Sequence, residues 1–129
     1  MHPTLTPYVC VADGRAAIAW YVDTLGAVVT HEPILVDDGR VGHVELAVGG
    51  AGWMLSDDFP EAGVTAPAAD RGASVSLHLQ LEDAAAVDAL AARVEATGTP
   101  MVRGPEDADP AGRVAVFVDP FGHRWMLTG

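Results

Sequence analysis

The tripeptide Trp53-Met54-Leu55 recurs as Trp125-Met126-Leu127, 72 positions further along the chain. Two glycines that follow helix-like stretches, Gly26 and Gly98, are separated by the same interval. Glycine is common just past a helix end, because it adopts the left-handed conformation there without strain. Landmarks repeated at one interval indicate that the chain consists of two copies of a single structural unit.

Hydrophobic periodicity predicts the same order of elements in each half, namely a strand, a helix and three further strands. The predicted elements of the first half are strands at 4–11, 27–36, 41–48 and 52–56 and a helix at 14–25. Those of the second half are strands at 74–81, 99–103, 112–118 and 123–128 and a helix at 84–97. Residues 57–73 are rich in Pro, Gly and Ala and lack periodicity, which is typical of a linker or a lid. We therefore predict one α+β domain over 1–129, with module one at about 4–56, a linker at 57–73 and module two at about 74–129.

Composition limits the classes of partner. The chain has 18 acidic and 7 basic residues, for a formal net charge of −11. This charge disfavours nucleic acid and anionic membrane surfaces, which are bound through Lys and Arg. No apolar run approaches the roughly 20 residues of a membrane-spanning helix, and no basic leader precedes one, so we expect a cytoplasmic protein. Cys10 is the only cysteine, which excludes an intrachain disulfide, and with no basic neighbour predicted beside it we expect a packing role.

Alternation along the strands separates two faces of each sheet, because successive side chains point to opposite sides. Aliphatic strand residues and one side of each helix should form the core. These core positions are Ala17, Trp20, Tyr21 and Leu25 on the first helix, Val87, Leu90, Ala91 and Val94 on the second, and Leu5, Val9, Val11, Val44, Leu46, Val48, Trp53, Val75, Leu77, Leu79, Leu81 and Trp125 on strands.

Two predicted hairpins set the register of the opposite face. A two-residue turn at Gly49-Gly50 pairs residues whose numbers sum to 99, and a turn at 119–122 pairs residues whose numbers sum to 241, with Phe117 opposite Arg124. The resulting mixed face consists of Thr6, Tyr8, His43, Glu45, Met54, Ser56, Ser76, His78, Gln80, Ala115, Phe117, Arg124 and Met126. All of them except Ala115 are candidate ligand-binding residues.

The mixed face is suited to a ligand cavity. Pockets are mostly apolar with a few placed polar groups. Leaving Tyr8, Phe117 and two methionines in water would expose a costly apolar patch. We therefore expect the mixed face to line a cavity; the alternative is a solvent-facing sheet surface.

Several stretches resemble the vicinal-oxygen-chelate superfamily, in particular its glyoxalase/bleomycin-resistance and PhnB-like members. They are Ala16-Ala17-Ile18-Ala19-Trp20-Tyr21 with Leu25-Gly26, the motif Asp119-Pro120-Phe121-Gly122-His123, and the runs 42–46 and 54–58. The resemblance implies paired βαβββ modules that form a curved, mostly antiparallel eight-stranded sheet around a cavity, usually in a homodimer. It does not select a function, because the superfamily includes isomerases, dioxygenases, thiol transferases and drug-binding proteins.

In metal-using members, one ligand comes from the first strand and one from the last strand of each module. The corresponding positions here are Thr6, Met54, Ser76 and Met126. Divalent ions in such sites prefer imidazole and carboxylate, whereas thioethers suit Cu(I) and neutral hydroxyls bind weakly. The resemblance therefore implies no metal at these positions, and we expect no cofactor. The alternative is a displaced metal site formed by His43, Glu45 and His78.

Our first hypothesis is a binding protein that sequesters a small drug-like or natural-product compound, as antibiotic-resistance members of the superfamily do. We expect that ligand to be aromatic or cationic, because rings line the mixed face and the chain is acidic. The alternative is a lyase- or isomerase-type enzyme, metal-free or with an atypical metal, in which Glu45 acts with His43 or His78 in proton transfer. A structural or regulatory module is a third alternative, which no sequence feature recommends.

Overall fold

The computed structural model describes residues 2–129, over which the chain forms eight β-strands and two α-helices. The strands are β1 (Tyr8–Val11), β2 (Val28–Leu35), β3 (Val41–Val48), β4 (Ala51–Asp57), β5 (Ser76–Gln80), β6 (Met101–Asp107), β7 (Arg113–Val118) and β8 (Arg124–Thr128), and the helices are α1 (Gly14–Leu25) and α2 (Ala84–Ala96). Both helices fall short of the length and apolar character that a bilayer crossing demands.

The chain divides into two compact units, one up to Ala66 and one from Pro67 onward. The sheet of the first unit has the strand order β1-β4-β3-β2, and the sheet of the second has the order β5-β8-β7-β6. In each sheet one pair of strands is parallel and the other two pairs are antiparallel. The predicted pair of βαβββ modules is confirmed, with the eight strands arranged as two four-stranded sheets.

Two aspartates determine where α1 begins. The Asp13 carboxylate accepts a hydrogen bond from the N–H of Ala16 at 3.1 Å, which is the arrangement of an N-cap. The Asp57 carboxylate accepts from the N–H of Gly14 and, at 2.7 Å, from the N–H of Val41. Asp57 therefore ties the end of β4 to the start of both α1 and β3.

The core of the first unit lies between α1 and one face of its sheet. Tyr21 is fully buried, and its ring meets the Trp53 ring edge-on at a centroid distance of 5.5 Å. Trp20, predicted to be core, is only half-buried. The core prediction is wrong for Leu5, which precedes β1 and is 99% exposed. Pro7 has no N–H to donate to a sheet, so the strand begins after it.

The core of the second unit repeats this plan. Asp83 caps α2 by accepting from the N–H of Ala86 at 2.8 Å, and the four predicted core positions of α2 are all buried. The helix packs on β6, β7 and β8. Phe117 and Trp125 lie on this face with nearly parallel rings, 6.4 Å between centroids. Val75, predicted to be core, precedes β5 and is exposed.

The two hairpins differ in loop length. β3 and β4 are joined by the two-residue turn Gly49-Gly50, and the predicted register is confirmed. β7 and β8 are joined by the three-residue loop 120–122, which is closed by a hydrogen bond from the N–H of Asp119 to the carbonyl of His123 at 2.8 Å. The predicted register of the second hairpin is therefore wrong by one residue.

Asp119 accounts for the longer loop. This buried carboxylate accepts from the N–H of Phe121 at 2.9 Å, the N–H of His123 at 3.0 Å and the indole Nε1–H of Trp125 at 2.9 Å. Gly122 has a φ of 94°, as a three-residue hairpin loop with a left-handed residue requires. A shift of one residue exchanges the two faces of a strand, so Phe117 lies opposite Trp125 in the core rather than opposite Arg124.

Part of the predicted linker 57–73 is structured within the first unit. It contains a single 3₁₀ turn, Pro60–Ala62. The guanidinium of Arg40 forms an ion pair with Glu61 at 2.8 Å and lies 4.1 Å from the centroid of the Phe59 ring. Hydrogen bonding to Arg40 lowers the pKa of Glu61 to about 2. The beginning of the linker is thus held against β3 by one arginine.

Candidate functional site

The first unit carries a group of polar, aromatic and thioether side chains on the sheet face that points away from α1. This first polar face consists of Tyr8, His31, His43, Glu45 and Met54. Strand pairing brings them together, because Met54 of β4 lies beside Tyr8 of β1 on one side and beside Glu45 of β3 on the other. All five residues are exposed or half-buried, so they are accessible to a ligand.

Three of these residues form a hydrogen-bonded chain. The Tyr8 hydroxyl donates to the carbonyl of Gly42 at 2.8 Å and lies 3.0 Å from His43 Nδ1. His43 Nε2 lies 3.2 Å from a carboxylate oxygen of Glu45. Desolvation raises the pKa of Tyr8, which keeps the hydroxyl protonated at neutral pH. The Tyr8–His43–Glu45 chain therefore orders both ends of an imidazole.

The hydrogen-bond donors and acceptors of Tyr8, His43 and Glu45 limit the number of protons that these three side chains can share. The Gly42 carbonyl only accepts, so the Tyr8 oxygen is left to accept from His43 Nδ1. With Glu45 ionised, both contacts of the imidazole are made together only when His43 has a proton on each nitrogen. A neutral imidazole keeps one of the two contacts. The number of hydrogen bonds among Tyr8, His43 and Glu45 therefore depends on how many protons the imidazole carries.

The mixed face predicted from the sequence does not include His31. His31 of β2 lies opposite Glu45, and its ring meets the His43 ring edge-on at a centroid distance of 5.6 Å. The pairing of β2 with β3 contains register irregularities on both sides of His31. Such irregularities change which side a side chain faces, and alternation along the sequence does not reveal them.

The second unit presents an ordered row of side chains on the corresponding sheet face. This second polar face consists of Ser76, His78 and Gln80 on β5 and of Arg124, Met126 and Thr128 on β8. Each residue of β5 lies opposite one residue of β8, in the pairs Ser76–Arg124, His78–Met126 and Gln80–Thr128. Thr128 was missed, although it continues the alternation of Arg124 and Met126 along the strand.

Hydrogen bonds along this row determine the tautomer of His78. The Gln80 amide nitrogen donates to the carbonyl of Leu81 at 3.3 Å, which turns the amide oxygen toward Thr128. The Thr128 hydroxyl donates to that oxygen at 2.6 Å. His78 Nε2, 2.7 Å from the same hydroxyl oxygen, must then donate to it. His78 Nδ1 is left as an acceptor and has no hydrogen-bond partner among residues 2–129.

Two other residues predicted for the mixed face of the second unit lie elsewhere. Phe117 and Ala115 are fully buried on the core face, opposite Trp125 and Leu127. Their prediction as mixed-face residues is wrong, for the one-residue shift of the second hairpin described above. Val116 takes the place opposite Met126 and is itself buried.

Two predicted residues of the first unit and Cys10 stand apart from the polar chain. Thr6 precedes β1 and is exposed, whereas Ser56 is buried and its hydroxyl donates to the carbonyl of Asp57 at 3.0 Å. The Cys10 thiol lies 3.4 Å from the Asp57 carbonyl and 3.6 Å from the Asp58 carboxylate. Burial, together with Asp58 and Asp57, raises the pKa of Cys10 to about 11. Cys10 has a packing role and lacks the environment of a nucleophile.

The donor atoms at the four metal positions implied by the resemblance do not fit a divalent ion. They are the hydroxyls of Thr6 and Ser76 and the thioethers of Met54 and Met126. The Ser76 hydroxyl is moreover engaged as an acceptor by Arg124 at 2.6 Å. Over residues 2–129, no three His, Cys, Asp or Glu side chains are grouped so that they could hold a metal.

Sequence comparison matches residues 2–127 to the model of the Glyoxalase/Bleomycin resistance protein/Dioxygenase superfamily. The uncharacterised protein Mb0911c of Mycobacterium bovis is 34% identical over 130 residues, which cover 98% of this chain and 83% of that protein. Both matches include the two modules and the segment between them.

Solved structures of similar fold include two bacterial proteins. Protein PA1353 from Pseudomonas aeruginosa has a TM-score of 0.75 at 23% identity, over 98% of this chain and 97% of that one. The fosfomycin resistance protein FosX from Listeria monocytogenes has a TM-score of 0.74 at 15% identity, over 100% of this chain and 91% of that one. At these identities the likeness describes the fold alone.

Proposed function

This chain belongs to the glyoxalase/bleomycin resistance/dioxygenase superfamily, and from that premise we propose that it is a small-molecule-binding protein that works without the usual metal. It sequesters a drug-like or natural-product compound, in the manner of an antibiotic-resistance protein. The observation that carries this proposal is the donor set at the four metal positions, where two hydroxyls and two thioethers stand. Such a set favours contact with an organic ligand over coordination of a divalent ion.

The fixed orientation of side chains on the two polar faces supports a binding role. Met54 lies beside Tyr8, which is held by Gly42, and Met126 lies opposite His78, which is held by Thr128. Each unit thus combines an adaptable thioether with a polar group whose orientation is already set. Side chains ordered before binding lose less conformational entropy when the ligand arrives.

Native mass spectrometry of the protein isolated from its own host tests the proposal. We expect a retained compound whose mass is lost when the protein is denatured. A panel of natural products should also raise the melting temperature. An empty protein that no member of the panel stabilises would contradict sequestration.

A pair of methionine variants locates the binding face. Met126→Ala should reduce the thermal shift caused by a retained compound, because it removes an apolar contact from the second polar face. Met101→Ala is the matched control, since Met101 is also half-buried but lies opposite the core residue Phe117. An equal reduction of the thermal shift in the two variants would mean that the ligand does not bind at Met126.

The Tyr8–His43–Glu45 chain favours one alternative, an enzyme of lyase or isomerase type. A carboxylate joined to an imidazole and a phenol can move a proton to or from a bound substrate. Glu45→Gln keeps the shape of the side chain and removes its basic oxygen. It should abolish turnover of any compound that the wild-type protein converts in host extract, whereas Glu32→Gln on β2 should leave turnover unchanged. Full activity in Glu45→Gln would refute acid–base chemistry at this residue.

The atypical-metal variant of the enzyme has a direct test. Protein purified without a histidine tag should contain less than stoichiometric metal, which would remove a metal site at His43, Glu45 and His78. One tightly held metal ion for each chain would overturn the metal-free proposal.

We also propose a cytoplasmic homodimer, as the resemblance implies. The exposed apolar side chains Val28, Ile34 and Leu35 along the edge strand β2 support association. Light scattering after gel filtration should give about twice the chain mass of 13.4 kDa. A monomer at all concentrations would refute the dimer without affecting the proposed binding role.

A further inference from the structure

We propose that Arg124, held by Ser76, is the recognition point for an acidic group, so that the ligand of the second polar face is an organic anion such as a carboxylate or a phosphonate. This inference rests on the proposed binding function and names the ligand class. Arg124 Nη1 donates to the Ser76 hydroxyl at 2.6 Å, across the β5–β8 pair. The guanidinium is therefore positioned on the accessible face of the sheet by a neutral group.

Arg124 differs in its partner from three of the other arginines of this chain. Arg40, Arg103 and Arg113 each pair with at least one carboxylate within 3.5 Å. Arg124, in contrast, has no carboxylate within ion-pair distance among residues 2–129, although the chain has 18 acidic residues. A guanidinium needs a bidentate oxygen partner to use its fork of N–H donors fully. An acidic group of a ligand can supply that partner.

The neighbours of Arg124 describe the rest of the ligand. His78 follows Ser76 by two residues on the same face, roughly 7 Å away. Its Nε2–H is engaged by Thr128, so Nδ1 remains as a hydrogen-bond acceptor. Met126 lies opposite His78 and offers an apolar contact. These three groups fit an acid that has an apolar body and a hydroxyl or amine donor.

On the second polar face, local charge favours an anionic ligand over the cationic one that the acidic composition suggests for the protein as a whole. On the first polar face, the Glu45 carboxylate is already contacted by His43 at 3.2 Å. On the second polar face, the charged side chain is the guanidinium of Arg124, whose contact is a neutral hydroxyl. Coulomb interactions at contact distance exceed those of distant surface charges, which salt screens beyond roughly 10 Å. The net charge of −11 therefore does not set the preference of this face.

NMR titration with three small probes tests the inference. Phenylphosphonate, benzyl alcohol and benzylamine share an aromatic body and differ in charge. We expect phenylphosphonate to shift the Nε–Hε signal of Arg124 and the amide signal of Ser76, and to bind more tightly than either other probe. Arg124→Gln should weaken phenylphosphonate about tenfold, the loss expected for one charge-assisted contact. Arg103→Gln, which removes the same charge from an exposed arginine, is the matched control and should change the affinity less than about twofold.

Two results would overturn the inference. Equal affinity for the three probes would remove the preference for an anion while leaving a binding protein in place. Unchanged phenylphosphonate affinity in Arg124→Gln would mean that a residue other than Arg124 binds the anion. If Arg124→Gln fails to fold, the response of the Arg124 Nε–Hε signal in the wild-type protein decides alone. The mass spectrometry of host protein tests the proposed function separately, because it depends on no assumption about ligand charge.

Discussion

Several aspartates of this acidic chain hold backbone N–H groups rather than cations. Asp13 and Asp83 cap the two helices. Asp57 connects β4 to α1 and β3, and Asp119 accepts hydrogen bonds from N–H groups of the loop before β8. A carboxylate that accepts from backbone N–H groups satisfies donors that would otherwise be left without a partner. At the scale of the residue, part of the acidic surplus is therefore structural.

Asp119→Asn should lower the free energy of unfolding by about 3 kcal/mol, because an amide NH₂ would face N–H donors in a buried site. Asp23→Asn, on the exposed side of α1, removes the same charge without such contacts and should change stability by less than about 0.5 kcal/mol. Urea unfolding of both variants measures the difference. Equal midpoints for the two would show that Asp119 does not organise the loop.

The Cys10 thiol should react slowly with iodoacetamide. A pKa of about 11 in place of the ordinary 9.0 reduces the thiolate fraction at pH 8 by about 100-fold. The rate should therefore be about 100-fold below that of the same protein unfolded in urea, and it should keep rising with pH above 9. A folded-state rate equal to the unfolded rate would mean that burial and the two aspartates do not protect the thiol.

At the scale of elements, the two hairpins show how one residue of loop length decides which side chains a sheet face presents. The two-residue turn at Gly49-Gly50 and the three-residue loop 120–122 occupy equivalent places in the two modules. Because the side-chain period of a strand is two, the extra residue in the second loop turns Phe117 into the core.

A matched pair of glycine substitutions tests the loop geometry. Gly122 has a φ of 94°, and a Cβ there would lie 2.8 Å from the Cβ of Pro67, so Gly122→Ala should cost about 1–2 kcal/mol. Gly50 has open space around its Cα and no positive φ, so Gly50→Ala should be nearly neutral. Thermal unfolding compares them. A neutral Gly122→Ala variant would argue against a left-handed residue in this loop.

At the scale of the whole molecule, net charge governs solubility and non-specific binding rather than the preference of the second polar face. With a net charge of −11 and an isoelectric point near 4.5, the protein should show zero electrophoretic mobility and least solubility close to pH 4.5. At pH 7 and low salt it should pass through a DNA-cellulose column without delay, since few cations are available to replace phosphate counterions. Retention that falls with added salt would contradict this expectation.

The elements themselves followed closely from the sequence. The predicted helix at 14–25 coincides with α1, and the predicted strand at 41–48 coincides with β3. These features depend on local periodicity and on caps such as Asp13, which are contained within a few neighbouring residues. The prediction was wrong at Leu5 and Phe117, where a proline and a loop of one extra residue change the pairing of distant strands.

The sequence by itself determined the repeat, the two modules and the identity of the side chains at the four metal positions. Only the tertiary structure decided that His31 joins His43, that Thr128 and Gln80 orient His78, and that Arg124 is held by Ser76. Residue type and local periodicity depend on neighbouring residues in the sequence, whereas these contacts join residues up to 50 positions apart. They depend on strand register, which is set by loops and irregularities that the alternation of side chains does not record.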